Sequence, residues 1–177
     1  MVVKTIFAGS FKPPHKGHYH IVKKMLSMDK DGMVYVFISK KEREPCMKLT
    51  GEISKDIWEE FLKLLPKKDR ERVKLILSKM PSPTQTAYGF VKSIAKKGDF
   101  FYLVKSAKNA DNSRFSSFKT LNIKYKELIL PKFSSLNSTD MRNAIKDGDK
   151  KLFYSFIPKK MSNYGKKKLW DRMRELC

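Results

Sequence analysis

The stretch Gly9-Ser10-Phe11-Lys12-Pro13-Pro14-His15-Lys16-Gly17-His18 constrains this chain more than any other. An apolar run over residues 2–8 precedes it, and an amphipathic run over 21–28 follows it. Apolar run, Gly/Pro loop and amphipathic run together read as a strand, a tight turn and a helix N-terminus. Gly9 permits close backbone approach to an anionic ligand. The N–H groups of a helix start, at the positive end of its dipole, suit phosphate. Pro13-Pro14 stiffens the loop ahead of His15. His15 and His18 stand three residues apart where the helix begins, so both rings can face one way and donate to phosphate oxygens. The stretch therefore reads as a site for a nucleoside triphosphate. A metal pair would need a third ligand, and His20 falls on another face of the helix. One structural histidine would be ordinary in such a loop; two are harder to explain that way. The loop is not a Walker A motif, because Gly-Lys-Ser/Thr is missing.

Beyond this loop the same alternation recurs. Strands are expected over 2–8, 33–38, 73–77, 100–104 and 123–130. Helices are expected over 17–28, 50–65 with Thr50 as N-cap, 84–97, 139–146, a short segment near Phe153, and 162–176 with Ser162 as N-cap. The segments 39–48, 105–117 and 134–138 are polar and read as loops. Such alternation argues for an α/β fold: a doubly wound, mostly parallel five-stranded sheet with right-handed crossovers. Ligands bind such sheets outside the carboxyl ends of the strands, so the loops at Gly9, Ser39, Lys105 and Ser134 should converge on one edge. One domain over 1–157 is expected, with a basic helix over 158–177 packed on it.

Charge narrows the partners. The 177 residues hold 39 Lys and Arg against 18 Asp and Glu, a net charge of +21. Such a surface attracts phosphate, whether on nucleotides or on nucleic acid. The lysines are scattered, as on solvated helix faces, so nucleic acid is a partner to test and not the first reading. No apolar stretch reaches the roughly 20 residues of a membrane helix. The short apolar run between Lys4 and Lys12 does not resemble a leader. A soluble, intracellular, cytoplasmic protein is expected, free of membrane and able to form a homo-oligomer. Cys46 and Cys177 are not expected to make a disulfide framework or a paired metal motif.

A second motif completes the site. In Ser138-Thr139-Asp140-Met141-Arg142, Ser138 or Thr139 can cap a helix, and Arg142, one turn on, can reach the same phosphate with a fork of donors. Read alone, it is more readily a plain N-cap with an exposed arginine.

Together the two motifs resemble the signature of the HxGH nucleotidyltransferase superfamily, which includes nicotinamide-mononucleotide and phosphopantetheine adenylyltransferases and small cytidylyltransferases. The resemblance spans about residues 1–157, and between the motifs it rests on pattern. It implies a Rossmann-like nucleotidyltransferase fold. It also implies in-line attack by a second substrate's phosphate on the α-phosphate of an NTP, with loss of pyrophosphate. His15 and His18 would stabilise the transition state, with Gly9, Ser10, Phe11 and Gly17 contributing to the same loop. Ser138, Thr139 and Arg142 would hold the β- and γ-phosphates, and Mg²⁺ would bridge phosphate oxygens. Lys41 or Lys40 would sit near the reacting phosphates, with Arg43 a weaker candidate.

Many adenylyltransferases carry Gly-x-Asp after the fourth strand. This chain has Lys105-Ser106-Ala107-Lys108-Asn109-Ala110-Asp111 instead, so Asp111 and Arg114 are assigned to the second substrate. Trp58 could stack on a ligand ring, but core packing is the preferred reading. Lys160-Met161-Ser162-Asn163 resembles the Lys-Met-Ser-Lys-Ser loop of class I aminoacyl-tRNA synthetases, yet the chain is too short for a synthetase. Adenylyl transfer from ATP to a phosphate-bearing small molecule such as nicotinamide mononucleotide is the first expectation. Cytidylyl transfer to a sugar- or alcohol-phosphate is the second. A basic nucleic-acid-binding protein on a degenerate nucleotidyltransferase fold is the alternative from another class.

Overall fold

Buried β-branched and aromatic residues set the framework. In the computed structural model, which describes residues 1–106, 113–131, 135 and 137–177, five strands form one sheet. They are β1 (Val3–Gly9), β2 (Met33–Ile38), β3 (Val73–Leu77), β4 (Phe100–Ser106) and β5 (Lys124–Leu130). Their order is β3-β2-β1-β4-β5, and every pairing is parallel. Alternate residues of the inner strands point to opposite faces, and both faces are covered, so these strands read as unbroken apolar runs. Ile6, Ala8, Phe37, Phe101 and Leu103 fill one face. Phe7, Val34, Val36, Ile38 and Val104 fill the other.

Helices supply the two covers. They are α1 (Lys16–Met28), α2 (Gly51–Leu62), α3 (Lys67–Glu71), α4 (Pro83–Ile94), α5 (Ser138–Asp147), α6 (Lys150–Ser155) and α7 (Asn163–Leu176). Ala87 and Val91 of α4 pack on the first face with Phe115 and with Phe118 of a short 3-10 turn, Ser116–Thr120. Residues of α1, α2, α5, α6 and α7 share the larger core on the second face, where α7 contributes Leu169, Trp170 and Met173.

Local caps explain where the helices begin. The Thr50 hydroxyl accepts from the Ile53 N–H, and the Ser162 hydroxyl accepts from the Gly165 N–H, as their positions suggest. Helix α5 differs from expectation: Asn137 is its cap, accepting from the Asp140 N–H, so Ser138 and Thr139 lie inside the first turn. That helix ends at Gly148, whose φ of 73° is the left-handed stop that glycine adopts without strain. Helix α2 closes at Leu62, three residues early, because Leu64 and Leu65 close tight i→i+3 turns onto Phe61 and Leu62.

The cysteine expectation is corrected. Cys46 and Cys177 form a disulfide across 131 residues of sequence. Pairing of this kind depends on where α7 docks, and spacing does not show it. No helix among the described residues is long and apolar enough to cross a membrane.

Candidate active site

The sheet order reverses at β1, which has β2 on one side and β4 on the other. At such a switch point the following connections leave in opposite directions and open a crevice. Here the crevice is a cavity of about 690 Å³ lined by the ends of β1 and β4 and by loops from all five strands.

The loop after β1 is folded by its own side chains. Phe11 has a φ of 51°, in the left-handed region where residues other than glycine are uncommon. Such a conformation costs about 1–3 kcal/mol and persists only where the surroundings hold it. Here they do. The Phe11 ring lies 4.9 Å from His18, 5.0 Å from Phe7 and 5.4 Å from Trp58, centroid to centroid. The Phe11 carbonyl accepts from the Ser54 hydroxyl of α2. The ring also turns back over Gly9, where a Cβ would meet it at 2.7 Å. Gly9 is thus required by Phe11, in addition to any ligand. Trp58 is fully buried beneath the loop and belongs to the core. Lys12 is fully buried as well, and its ammonium donates to the Ser39 carbonyl. Burial lowers its pKa to about 8, against which the charges of Glu42 and Glu52 pull upward. The Lys12–Pro13 and Glu44–Pro45 peptides are cis.

Both histidines are oriented by backbone. His15 caps α1: its Nδ1 accepts the Gly17 N–H at 3.1 Å. The His18 Nδ1 accepts the His15 N–H at 3.2 Å. A neutral ring that accepts at Nδ1 carries its proton on Nε2. The two rings stack with centroids 3.8 Å apart, tilted by 31°, and both line the cavity. Burial first, and the neighbouring His15 second, hold the His18 pKa well below its usual value. His18 at neutral pH is therefore an N–H donor, suited to stabilising negative charge and not to carrying a second proton.

The second motif reaches this loop directly. The Ser138 hydroxyl donates to the Pro13 carbonyl at 3.0 Å. Arg142 is buried, not exposed; it donates through Nε to the Glu44 carbonyl at 2.7 Å and through Nη1 to the Lys12 carbonyl at 2.5 Å. Its Nη2 reaches the Thr139 hydroxyl at 3.2 Å. The arginine thus ties α5 to the loops after β1 and β2, and it also lines the cavity.

Among the described residues, two polar atoms at the cavity have no hydrogen-bond partner: the Ser10 hydroxyl and Nε of Arg114. Arg114 donates through Nη2 to the Ala8 carbonyl at the end of β1. Burial lowers the pKa of Arg114, and burial followed by the charge of Arg43 lowers that of Arg142. An arginine remains protonated at neutral pH even so. Lys41, Arg43, Arg114 and Arg142 all line the cavity, and among the described lining residues there is no Asp or Glu. Arg114 and Arg142 are desolvated and Lys41 and Arg43 are exposed beside them; four cations with no acidic partner among the described lining residues favour a bound polyanion.

Of the other sequence candidates, Gly9, Ser10, Phe11, Gly17, Ser138 and Thr139 line the cavity. Lys40 is exposed and does not line it. Asp111 falls outside the described residues. Segment Pro81–Thr84 after β3, Ser39, Ser106 and Asn137 line the cavity without having been singled out. Pro81-Ser82-Pro83 reads as a turn in the sequence. Its position after a parallel strand is the signal that could have placed it at the binding edge. Among the described residues no cluster of His, Cys, Asp or Glu can hold a metal ion. Among the described lining residues there is no carboxylate for Mg²⁺, which favours oxygen ligands and one or two carboxylates alongside substrate phosphates.

No protein-family model matches the chain, and no curated protein matches it. Solved structures do. A bifunctional NMN adenylyltransferase/ADP ribose pyrophosphatase from Francisella tularensis superposes with a TM-score of 0.68 at 19% identity, over 99% of this chain and 49% of that one. The chain thus spans about half the length of that protein. The nicotinic acid mononucleotide adenylyltransferase of Plasmodium falciparum, solved with NaAD, superposes with a TM-score of 0.60 at 14% identity, over 98% of this chain and 94% of that one. What these likenesses share with the chain is the fold: a five-stranded, all-parallel, Rossmann-like α/β sheet.

Proposed function

We propose that the chain is a nucleotidyltransferase of the HxGH type, moving an NMP unit from an NTP to a phosphate-bearing small molecule. The observation that carries this reading is the cavity itself. Lys41, Arg43, Arg114 and Arg142 meet two Nε2-protonated histidines there, with no carboxylate among the described lining residues and with the Ser10 hydroxyl and Arg114 Nε unsatisfied. That set of donors suits a polyphosphate and its developing charge. The fold shared with NMN and NaMN adenylyltransferases supports ATP as donor and nicotinamide mononucleotide as first acceptor.

The step would be an in-line displacement. An oxygen of the acceptor phosphate bonds to the α-phosphorus, the bond from that phosphorus to the bridging oxygen breaks, and the electron pair leaves with pyrophosphate. The chain's contribution is position and charge. His15 and His18 would donate from Nε2 to phosphoryl oxygens, and the rigid Phe11 turn fixes where they stand. Lys41 and Arg43, on the loop after β2, would face the reacting phosphates. Arg142 would act by locking that loop to the Gly9 loop through the Glu44 and Lys12 carbonyls. Arg114 and Ser10 would take the second substrate or the α-phosphate. Mg²⁺ would enter with the triphosphate and neutralise its charge; no step of the chain's own residues runs through it.

The test is a screen of the four NTPs with Mg²⁺ against nicotinamide mononucleotide, phosphopantetheine and glycerol phosphate, following pyrophosphate. Release with ATP and nicotinamide mononucleotide is expected. Release with CTP and glycerol phosphate would move the reading to cytidylyl transfer. No release with any pair would overturn it.

A further inference from the structure

The segment between β2 and α2 carries Lys41 and Arg43 into the cavity, and it is short of internal structure. Its internal fixed points are few: the Lys41 N–H on the Ser39 hydroxyl, an isolated bridge between Arg43 and Cys46, the Leu49 N–H on the Cys46 carbonyl and the Thr50 N–H on the Lys48 carbonyl; its first residue, Ser39, is held by the Gly9 carbonyl and the Lys12 ammonium. From outside, the Glu44 carbonyl receives Arg142, and Cys46 is bonded to Cys177 beyond α7. Cys46 is fully buried, and Cys177 is partly exposed. Helix α7 is itself anchored independently of the disulfide. Leu169, Trp170 and Met173 are in the core, and Arg174 donates to the Ile145 and Lys146 carbonyls of α5. The disulfide therefore pins a weakly held, cation-bearing loop to a firmly held helix.

We propose that this disulfide is a redox modification site that sets the cavity's grip on triphosphate. The proposal rests on the reading of the cavity as a triphosphate site. With the bond closed, Cys46 holds Glu44 under Arg142, and Lys41 and Arg43 stay at the cavity wall. With it open, the loop keeps the Gly9 and Lys12 contacts at Ser39, at its start, and the Arg142–Glu44 bond, and the cations between and beyond them are dispersed over more conformations. The chemistry is thiol–disulfide exchange with a low-molecular-weight disulfide such as oxidised glutathione. The accessible Cys177 thiolate attacks one glutathione sulfur, and one reduced glutathione leaves. The Cys46 thiolate then attacks the Cys177 sulfur of the mixed disulfide, and the second reduced glutathione leaves. Two electrons pass from the two cysteines to one glutathione disulfide, and the two thiol protons end on the two released thiols. Reduction runs the same path backward, with attack directed at Cys177 because Cys46 is enclosed.

The experiment uses the whole chain poised in glutathione buffers of different ratios, with the thiol state read by alkylation and mass. Inorganic triphosphate is the probe, since its binding needs the cavity's cations but no turnover. The oxidised form should bind it about tenfold more tightly than the reduced form, within the usual range of coupling between two sites. Amide exchange over residues 41–46 should be about tenfold slower when oxidised, since local opening costs more there. The Cys177→Ser variant should match the reduced form in every buffer. Equal affinity and equal loop exchange in the two forms would overturn the proposal, as would failure of the disulfide to form at any ratio. If neither form binds triphosphate while loop exchange still changes, the nucleotidyl-transfer reading fails and the tether's control of the loop stands.

Discussion

Replacing Arg142 with alanine should weaken the ligand-free protein, before any nucleotide is added. The side chain makes two charged hydrogen bonds to backbone, at 2.7 Å to the Glu44 carbonyl and 2.5 Å to the Lys12 carbonyl, and a longer one of 3.2 Å to Thr139. Hydrogen bonds from a charged group contribute about 1.5–3 kcal/mol each, so the two carbonyl bonds together carry about 3–6 kcal/mol. Arg142 lines the open cavity, so water can enter the space left by truncation and satisfy part of what is lost. The expected loss is near the lower bound, about 3 kcal/mol. Urea unfolding followed by tryptophan fluorescence reads it, since Trp58 and Trp170 are both buried. Arg142→Lys should recover about half, because one ammonium reaches one carbonyl where the guanidinium reaches two. Triphosphate affinity should fall alongside stability, because Lys12 and Glu44 sit on the two loops that form the cavity wall. A ligand-free Arg142→Ala protein within about 0.5 kcal/mol of wild type, the ordinary range for a surface substitution, would refute this. It would mean the arginine reaches into the cavity and does not hold the loops together.

Other perturbations separate scaffold from site. Gly9→Ala puts a methyl group 2.7 Å from the Phe11 ring and should lower stability by about 1–3 kcal/mol in a thermal melt; an unchanged melting temperature would show that Phe11 does not fold back in solution. Ser10→Ala removes a buried hydroxyl with no partner, so the free protein should be as stable as wild type or more so by about 1 kcal/mol, while calorimetry shows weaker triphosphate binding; a loss of stability with unchanged binding would assign Ser10 to the scaffold. The buried Lys12 ammonium titrates at about 8, below its unfolded value, so the unfolded chain binds more protons between pH 8 and 10. Wild type should therefore gain stability relative to Lys12→Met as pH rises through that window, with the cost of the buried charge fully present below pH 8; a flat difference would place Lys12 in solvent.

The inner strand β2 was legible because burial on both faces leaves an unbroken apolar run, and 33–38 matches it end for end; the edge strand β3 also matches 73–77. Helix starts were legible where a hydroxyl marks them, at Thr50 and Ser162. At α5 three possible caps stand in a row, and the choice of Asn137 follows from a tertiary contact, since the Ser138 hydroxyl is used on Pro13. Residues of both motifs line the cavity, but their contacts divide differently from what the residue types suggest. Arg142 spends its donors on carbonyls, Phe11 and Gly9 pack against each other, and Lys12 is a buried strut. The Arg142 and Lys12 contacts depend on segments far away in sequence, and the Phe11 turn is held by Ser54 and Trp58 of α2. The same holds for the Cys46–Cys177 bond, which joins positions 131 residues apart.

The most direct measurement is pyrophosphate formed per acceptor consumed, with ATP, Mg²⁺ and nicotinamide mononucleotide, in wild type and in His18→Ala. The His18 ring supplies an N–H from a site where burial keeps it neutral. Losing one such donor should slow turnover about 10²–10³-fold with stoichiometry of one to one in what remains. Full turnover in the variant would remove His18 from the chemistry. Salt-sensitive RNA binding by both proteins with no turnover by either would make the basic cavity a nucleic-acid site instead.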